Sequence, residues 1–202
     1  QLVDENRRAW HAGASEWYGN SGLNASSIGV EIVNHGPQDS GWQPYSDAQI
    51  QALIALLNDI VDRHQIHARN IVGHSDIAPQ RKQDPGPAFP WKRLADAGLG
   101  RWYDETEAAR LQSQYLAQGL PPIKVVQEKL RHAGYAAPDT GTLDIATRNA
   151  LRAFQMLTFV AVLVVAMVAG GAALIYARSR INARLRARNA VDREPVLGLE
   201  GP

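Results

Sequence analysis

Residues 72–91 read VGHSDIAPQRKQDPGPAFPW, with prolines at 79, 85, 87 and 90. Proline removes a backbone donor and fixes φ, so neither an α-helix nor a central strand runs through such a stretch. The segment is therefore expected to be an ordered loop, and its first thirteen positions hold His74, Lys82 and Asp84. Regular elements are expected around it. Residues 26–36 read as a buried strand, with Ile28, Val30 and Ile32 on one face and Gly29, Glu31 and Val33 on the other. Residues 46–66 read as a helix: Ser46 and Gln49 fit a capping box, and Ile50, Leu53, Ile54, Leu57, Ile60 and Val61 form one apolar stripe. Residues 70–74 read as a second strand ending at His74, and 91–100 as a short helix stopped by glycine. Strand, helix, strand predicts an α/β unit, a mixed central sheet flanked by helices, over residues 1–103.

Beyond it, residues 104–122 are polar, helical in tone and end in Pro121 and Pro122, which marks a linker. Residues 123–155 offer two short amphipathic helices around a Gly/Pro/Asp turn, a small all-α module. Residues 157–177 carry no charge over 21 positions. At about 1.5 Å per residue this length matches a bilayer core of roughly 30 Å, so 156–177 is expected to be a single transmembrane helix. Residues 178–202 carry six Arg against three acids, and the remainder 15 basic against 17 acidic groups. The basic tail predicts a cytoplasmic C-terminus with residues 1–155 outside, an inner-membrane anchor in the cell envelope. A net charge of +1 points away from nucleic acid, and the lack of cysteine excludes disulfides and thiolate metal sites. The chain begins at Gln1 rather than Met, and the expectation is a fragment or processed chain.

The chemistry is expected around His74 and Asp84. Ten residues apart with a proline between, they meet only if the loop doubles back. Imidazole and carboxylate are ligands of catalytic zinc, which takes three protein donors and keeps one position open. Lys82 suits stabilising a developing oxyanion. Glu31, set among aliphatics, suits a general base. Each has a plainer reading as well: a histidine after a strand often serves structure, and a lysine in a proline-rich loop is often only solvated.

The stretches RAWHAG, SIGVEIVN, VGHSDIAPQRKQDPGPAFPW and LGRWYD, in this order, resemble the type-2 N-acetylmuramoyl-L-alanine amidases. VVQEKLRHAGY and TGTLDIATRNALRAFQ resemble the first part of a peptidoglycan-binding module. The resemblance covers residues 1–104 and 123–155. It implies a zinc enzyme that hydrolyses the amide between the lactyl group of N-acetylmuramic acid and L-alanine, in peptidoglycan or muropeptides. It implies Zn2+ held by His74 and Asp84, water polarised by Glu31 and an oxyanion steadied by Lys82. Ala78 would hold the stem peptide, and Trp10 and His11 would wall the cleft. The family's first zinc ligand, a histidine on an early strand, would precede Gln1, so an N-terminally truncated amidase fold is expected, with His11 and His35 as the substitutes this chain offers. The rival expectation is a non-catalytic wall-binding protein that uses the same cleft without metal.

Overall fold

The computed structural model describes residues 1–158. The first unit opens with a tight hairpin, β1 (Glu16–Trp17) paired antiparallel with β2 (Asn20–Ser21), followed by a 3-10 turn at Leu23–Ala25. A second hairpin pairs β3 (Pro37–Gln38) with β4 (Gly41–Trp42). Helix α1 (Asp47–His64) follows, then a 3-10 turn at Ala68–Asn70, the one-turn α2 (His74–Ile77) and α3 (Trp91–Asp96). Helix α4 (Glu105–Gln118) leads to the pair α5 (Ile123–Ala133) and α6 (Ile145–Thr158).

Helix α1 forms as its sequence predicts. Gln49 N–H donates to Ser46 Oγ at 3.3 Å, and Ser46 N–H returns a bond to Gln49 Oε1 at 3.0 Å, so two orphan donors of the first turn are satisfied. Ile50, Leu53 and Ile60 are buried, and Ile54, Leu57 and Val61 pack against the same core. The opposite wall comes from Phe89, Trp91, Leu94 and Leu99, where the proline-rich loop gives way to α3. Phe89 meets Trp91 and Tyr45 edge-to-face, at centroid distances of 4.7 and 5.1 Å. Burying side chains of this size stabilises the fold by about 1.5–3 kcal/mol each.

The two expected strands take a different course. Residues 26–36 and 70–73 carry no strand ladder, and 74–77 turn into α2. Among the described residues, the backbone from 28 to 33 is bonded through Val33 O, which accepts Gln49 Nε2 at 2.7 Å. A ladder needs a neighbouring strand at about 4.8 Å. Here residues of both segments line one cavity of ≈ 940 Å³. The helix-and-strand class stands, but among the described residues the strand pairing is confined to the two hairpins.

The transmembrane expectation is corrected. Among the described residues no helix is long and apolar enough to cross a membrane. Leu157, the first residue of the apolar run, is buried in the protein core against α1 and α3 residues. The expected inner-membrane anchoring therefore has no support among the described residues. The run from 159 to 177 and the basic tail lie outside the described residues.

The α5–α6 pair is organised by a polar core. Gln127 is fully buried; its amide nitrogen donates to Thr147 Oγ1 at 2.8 Å and to Thr142 O at 3.0 Å, and its oxygen accepts Gly141 N–H at 2.8 Å. Asp144 caps α6 by accepting Thr147 N–H at 2.8 Å. The module packs on the first unit through Trp17. Gly134 ends α5 with φ +112, and a side chain there would meet the Trp17 ring at 2.8 Å. Only glycine offers both that backbone and that closeness.

Candidate active site

The loop 72–91 does double back. His74 opens α2, and Ser75 N–H donates to Asp84 O at 2.8 Å, which closes the loop across its ends. The backbone between is held by successive turns: Ala78 N–H to His74 O at 3.0 Å, then Arg81 and Lys82 N–H to Ala78 O at 3.1 and 3.0 Å. At the far end Tyr45 Oη donates to Pro85 O at 3.0 Å, and Gly86, at φ +82, sits under the Trp42 ring. A segment poor in regular structure is thus well supplied with hydrogen bonds.

The closure brings His74 Nδ1 within 3.0 Å of Asp84 Oδ2. The histidine holds the Asp84 carboxyl below its ordinary range, partly offset by burial. On its other side, His74 Nε2 lies 3.3 Å from Ala12 O and 3.4 Å from an Arg81 nitrogen. Arg81 also donates to Ala14 O at 2.9 and 3.0 Å and to Ala12 O. It therefore ties the 12–14 segment to the histidine. Nothing in its spacing distinguishes it from the adjacent lysine, and sequence reading passed it over.

The other expected residues are distributed as follows. Glu31 is exposed and lines the same cavity as His74 and Asp84. His11 lines it too; its Nε2 is 2.8 Å from Ser27 Oγ and its ring covers Gly29. Lys82 is half-buried two residues before Asp84 and acts on that carboxyl through its charge. Trp10 is 81% exposed with the Arg8 guanidinium 5.5 Å over its ring. Ala78 is buried, its carbonyl engaged by the loop's own turns. His35 is exposed and its backbone bonds Gln43.

Beneath the histidine lies a group that the sequence did not single out. Asp76 is 1% exposed; Oδ2 accepts Gly73 N–H at 2.7 Å and Oδ1 accepts Tyr135 Oη at 2.7 Å. Burial pushes its carboxyl up to about 7, against the pull of Tyr135, of Gly73 N–H and of Arg101.

As a metal centre, the donor chemistry is right and the number is short. Nδ1 and Oδ2 face each other at a distance suited to two ligands of one ion, but among the described residues no three His, Cys, Asp or Glu come together.

Residues 1–87 match the family described as N-acetylmuramoyl-L-alanine amidase, and residues 120–158 match a peptidoglycan binding domain. The chain is 46% identical over 165 residues to N-acetylmuramoyl-L-alanine amidase AmiD of Escherichia coli, covering 77% of this chain and 58% of that protein. It is 46% identical over 94 residues to 1,6-anhydro-N-acetylmuramyl-L-alanine amidase AmpD of Enterobacter cloacae, covering 46% of this chain and 48% of that one. In structure it is similar to AmpDh3 of Pseudomonas aeruginosa in complex with anhydromuramic pentapeptide, with TM-score 0.71, 44% identity and coverage of 79% of this chain and 64% of that one. It is also similar to E. coli AmiD in complex with the substrate anhydro-N-acetylmuramic acid-L-Ala-D-γ-Glu-L-Lys, with TM-score 0.66, 42% identity and coverage of 78% and 63%. The chain therefore spans about three-fifths of the length of AmiD and AmpDh3 and about half of that of AmpD. In motif, sequence and fold, residues 1–87 match the N-acetylmuramoyl-L-alanine amidase family, and residues 120–158 match a peptidoglycan-binding domain.

Proposed function

We propose that this chain is an amidase that hydrolyses the lactyl–L-alanine amide of peptidoglycan or of muropeptides released from it. The observation that carries the reading is the approach of His74 Nδ1 and Asp84 Oδ2 to 3.0 Å on the wall of a cavity shared with Glu31 and His11. Hydrolysis of an amide needs an activated water, a polarised carbonyl and a partner for the oxyanion. Glu31 is exposed and reaches water, as a base acting on the nucleophile must. Lys82 brings a positive charge beside Asp84, where a tetrahedral oxyanion would gather charge. His11 lines the cavity, and Trp10, the residue before it, is exposed with a flat indole that suits the face of a sugar. His74 and Asp84 would hold zinc, whose chemistry there is to acidify water and polarise the carbonyl. With two donors among the described residues, the ion is expected to be held weakly.

The test is incubation with an anhydromuramoyl peptide and zinc, with the products identified by mass. Release of the free L-Ala peptide is expected. Glu31→Gln should lose turnover while keeping zinc, and Lys82→Ala should lose turnover by about 10². A Glu31→Gln variant near full rate would remove the base from its role. The incomplete donor set favours one second reading, a wall-binding protein without turnover. Under that reading muropeptide binds, no amide is cut, and the three proteins bind alike.

A further inference from the structure

On sequence, the α5–α6 module and the loop of His74 fall in separate units. The packing links them instead. Tyr135 follows the glycine that ends α5 and is only 2% exposed. Its ring stands edge-on to Trp17, at 5.2 Å between centroids and 77° between planes. Gly134 O accepts Tyr18 N–H at 2.9 Å, and Ala133 O accepts an Arg101 nitrogen at 2.8 Å. Two hydrogen bonds to backbone carbonyls and a ring contact therefore fix where the Tyr135 hydroxyl sits. It sits on Asp76 Oδ1.

Asp76 belongs to the four-residue turn that His74 opens. A single turn has no helical stability of its own, and Gly73 supplies no capping side chain. Asp76 does that work from inside the turn by accepting Gly73 N–H. Its other oxygen lies in a fully buried place, where an unmet acceptor is costly. Tyr135 meets it. The residues holding the His74 turn from below are thus contributed by both halves of the chain.

We infer that Tyr135 is a positioning residue for His74: its hydroxyl, through Asp76, fixes the turn that aims the imidazole at Asp84. The consequence for hydrolysis rests on the amidase reading above; the geometric claim about His74 stands apart from it. Side chains that orient a metal ligand from behind change metal affinity by about 10–100-fold when removed.

The experiment uses the full chain, metal-free, with histidine labelled so that the His74 imidazole is followed by NMR. Tyr135→Phe keeps the ring and its stacking and removes the hydroxyl alone. The expected result is a shifted and broadened His74 signal with His35 and His67 unchanged, and zinc affinity lowered about tenfold. Asp76→Asn keeps the shape and removes one acceptor oxygen; it should move the same His74 signal. Gln127→Met weakens the module at its own polar core, away from Tyr135, and should leave His74 where it was. The inference is overturned if Tyr135→Phe and Asp76→Asn fold with an unchanged His74 signal, or if Gln127→Met displaces His74 as much as they do. If the unsubstituted chain neither cuts muropeptide nor takes zinc while Tyr135→Phe still moves His74, the amidase reading fails and the positioning role stands.

Discussion

Residues 72–91 and residues 26–36 line one cavity, and they are held in opposite ways. The first is crowded with proline and lacks regular structure over most of its length, yet its turns, Asp84 O, Tyr45 and buried Asp76 meet its polar groups from within the described residues. The second has strand composition and no ladder, and is pinned to α1 chiefly where Gln49 donates to Val33 O. A loop supplies its own partners through local turns, whereas a strand borrows them from a neighbour. The candidate site is built from both kinds: His74, Lys82 and Asp84 on the self-sufficient segment, and Glu31 on the one that is not.

The sharpest way to break this contrast is to remove the loop's apolar anchor. Trp91→Ala takes a buried ring out from between Phe89 and the α1 stripe. It should lower stability by about 3–5 kcal/mol, read from urea unfolding. A loss under 1 kcal/mol would mean that the loop is not anchored there. Next is Gly86→Ala. The position has φ +82, and the added carbon would collide with the Trp42 ring. A cost of roughly 1–3 kcal/mol is expected, with a change in tryptophan fluorescence as Trp42 is displaced.

A smaller effect is expected on the other segment. Gln49→Ala removes half of the capping box and the bond to Val33 O, costing about 1 kcal/mol. Amide exchange should speed up across residues 28–34 and stay slow across 74–84. Equal acceleration in both would erase the contrast. The smallest effect concerns Glu5, which lines a second cavity together with Ser27 and Ile28 at one end of the open segment. Arg63, and then His64, hold its carboxyl down at about 2. A depressed acid stabilises the fold above its ordinary pKa of 4.5 and loses that contribution as pH falls from 4.5 toward 2. Glu5→Gln should flatten the thermal stability across that window; an unaltered acid slope would mean that the contact is formed equally in the unfolded chain.

The parts of the molecule that were legible in sequence are those fixed locally. The capping box of α1, its apolar stripe and the two helices of the module follow from residues three or four apart. The approach of His74 to Asp84 was left open by their spacing, which needs the loop to double back, and was expected on the family resemblance. The strands at 26–36 and 70–74 were read from alternation, which reports a face but not a partner. The membrane span was read from composition, which does not distinguish burial in lipid from burial in protein; Leu157, the one apolar-run residue in the described core, is buried in protein, and among the described residues no helix is long and apolar enough to cross a membrane. Asp76–Tyr135 and the Arg81 bonds join residues 59 to 69 positions apart, and no local pattern announces such pairs.

The central claim is that His74 and Asp84 form the working centre of a muramoyl–L-alanine amidase. It is tested most directly by measuring zinc content and amide cleavage on the same preparations of the unsubstituted chain, His74→Ala and Asp84→Ala, with zinc in excess. The account predicts cleavage by the unsubstituted chain alone, with zinc that dialysis removes from it and that neither variant takes up. Cleavage that persists in His74→Ala would contradict it and place the chemistry elsewhere in the cavity.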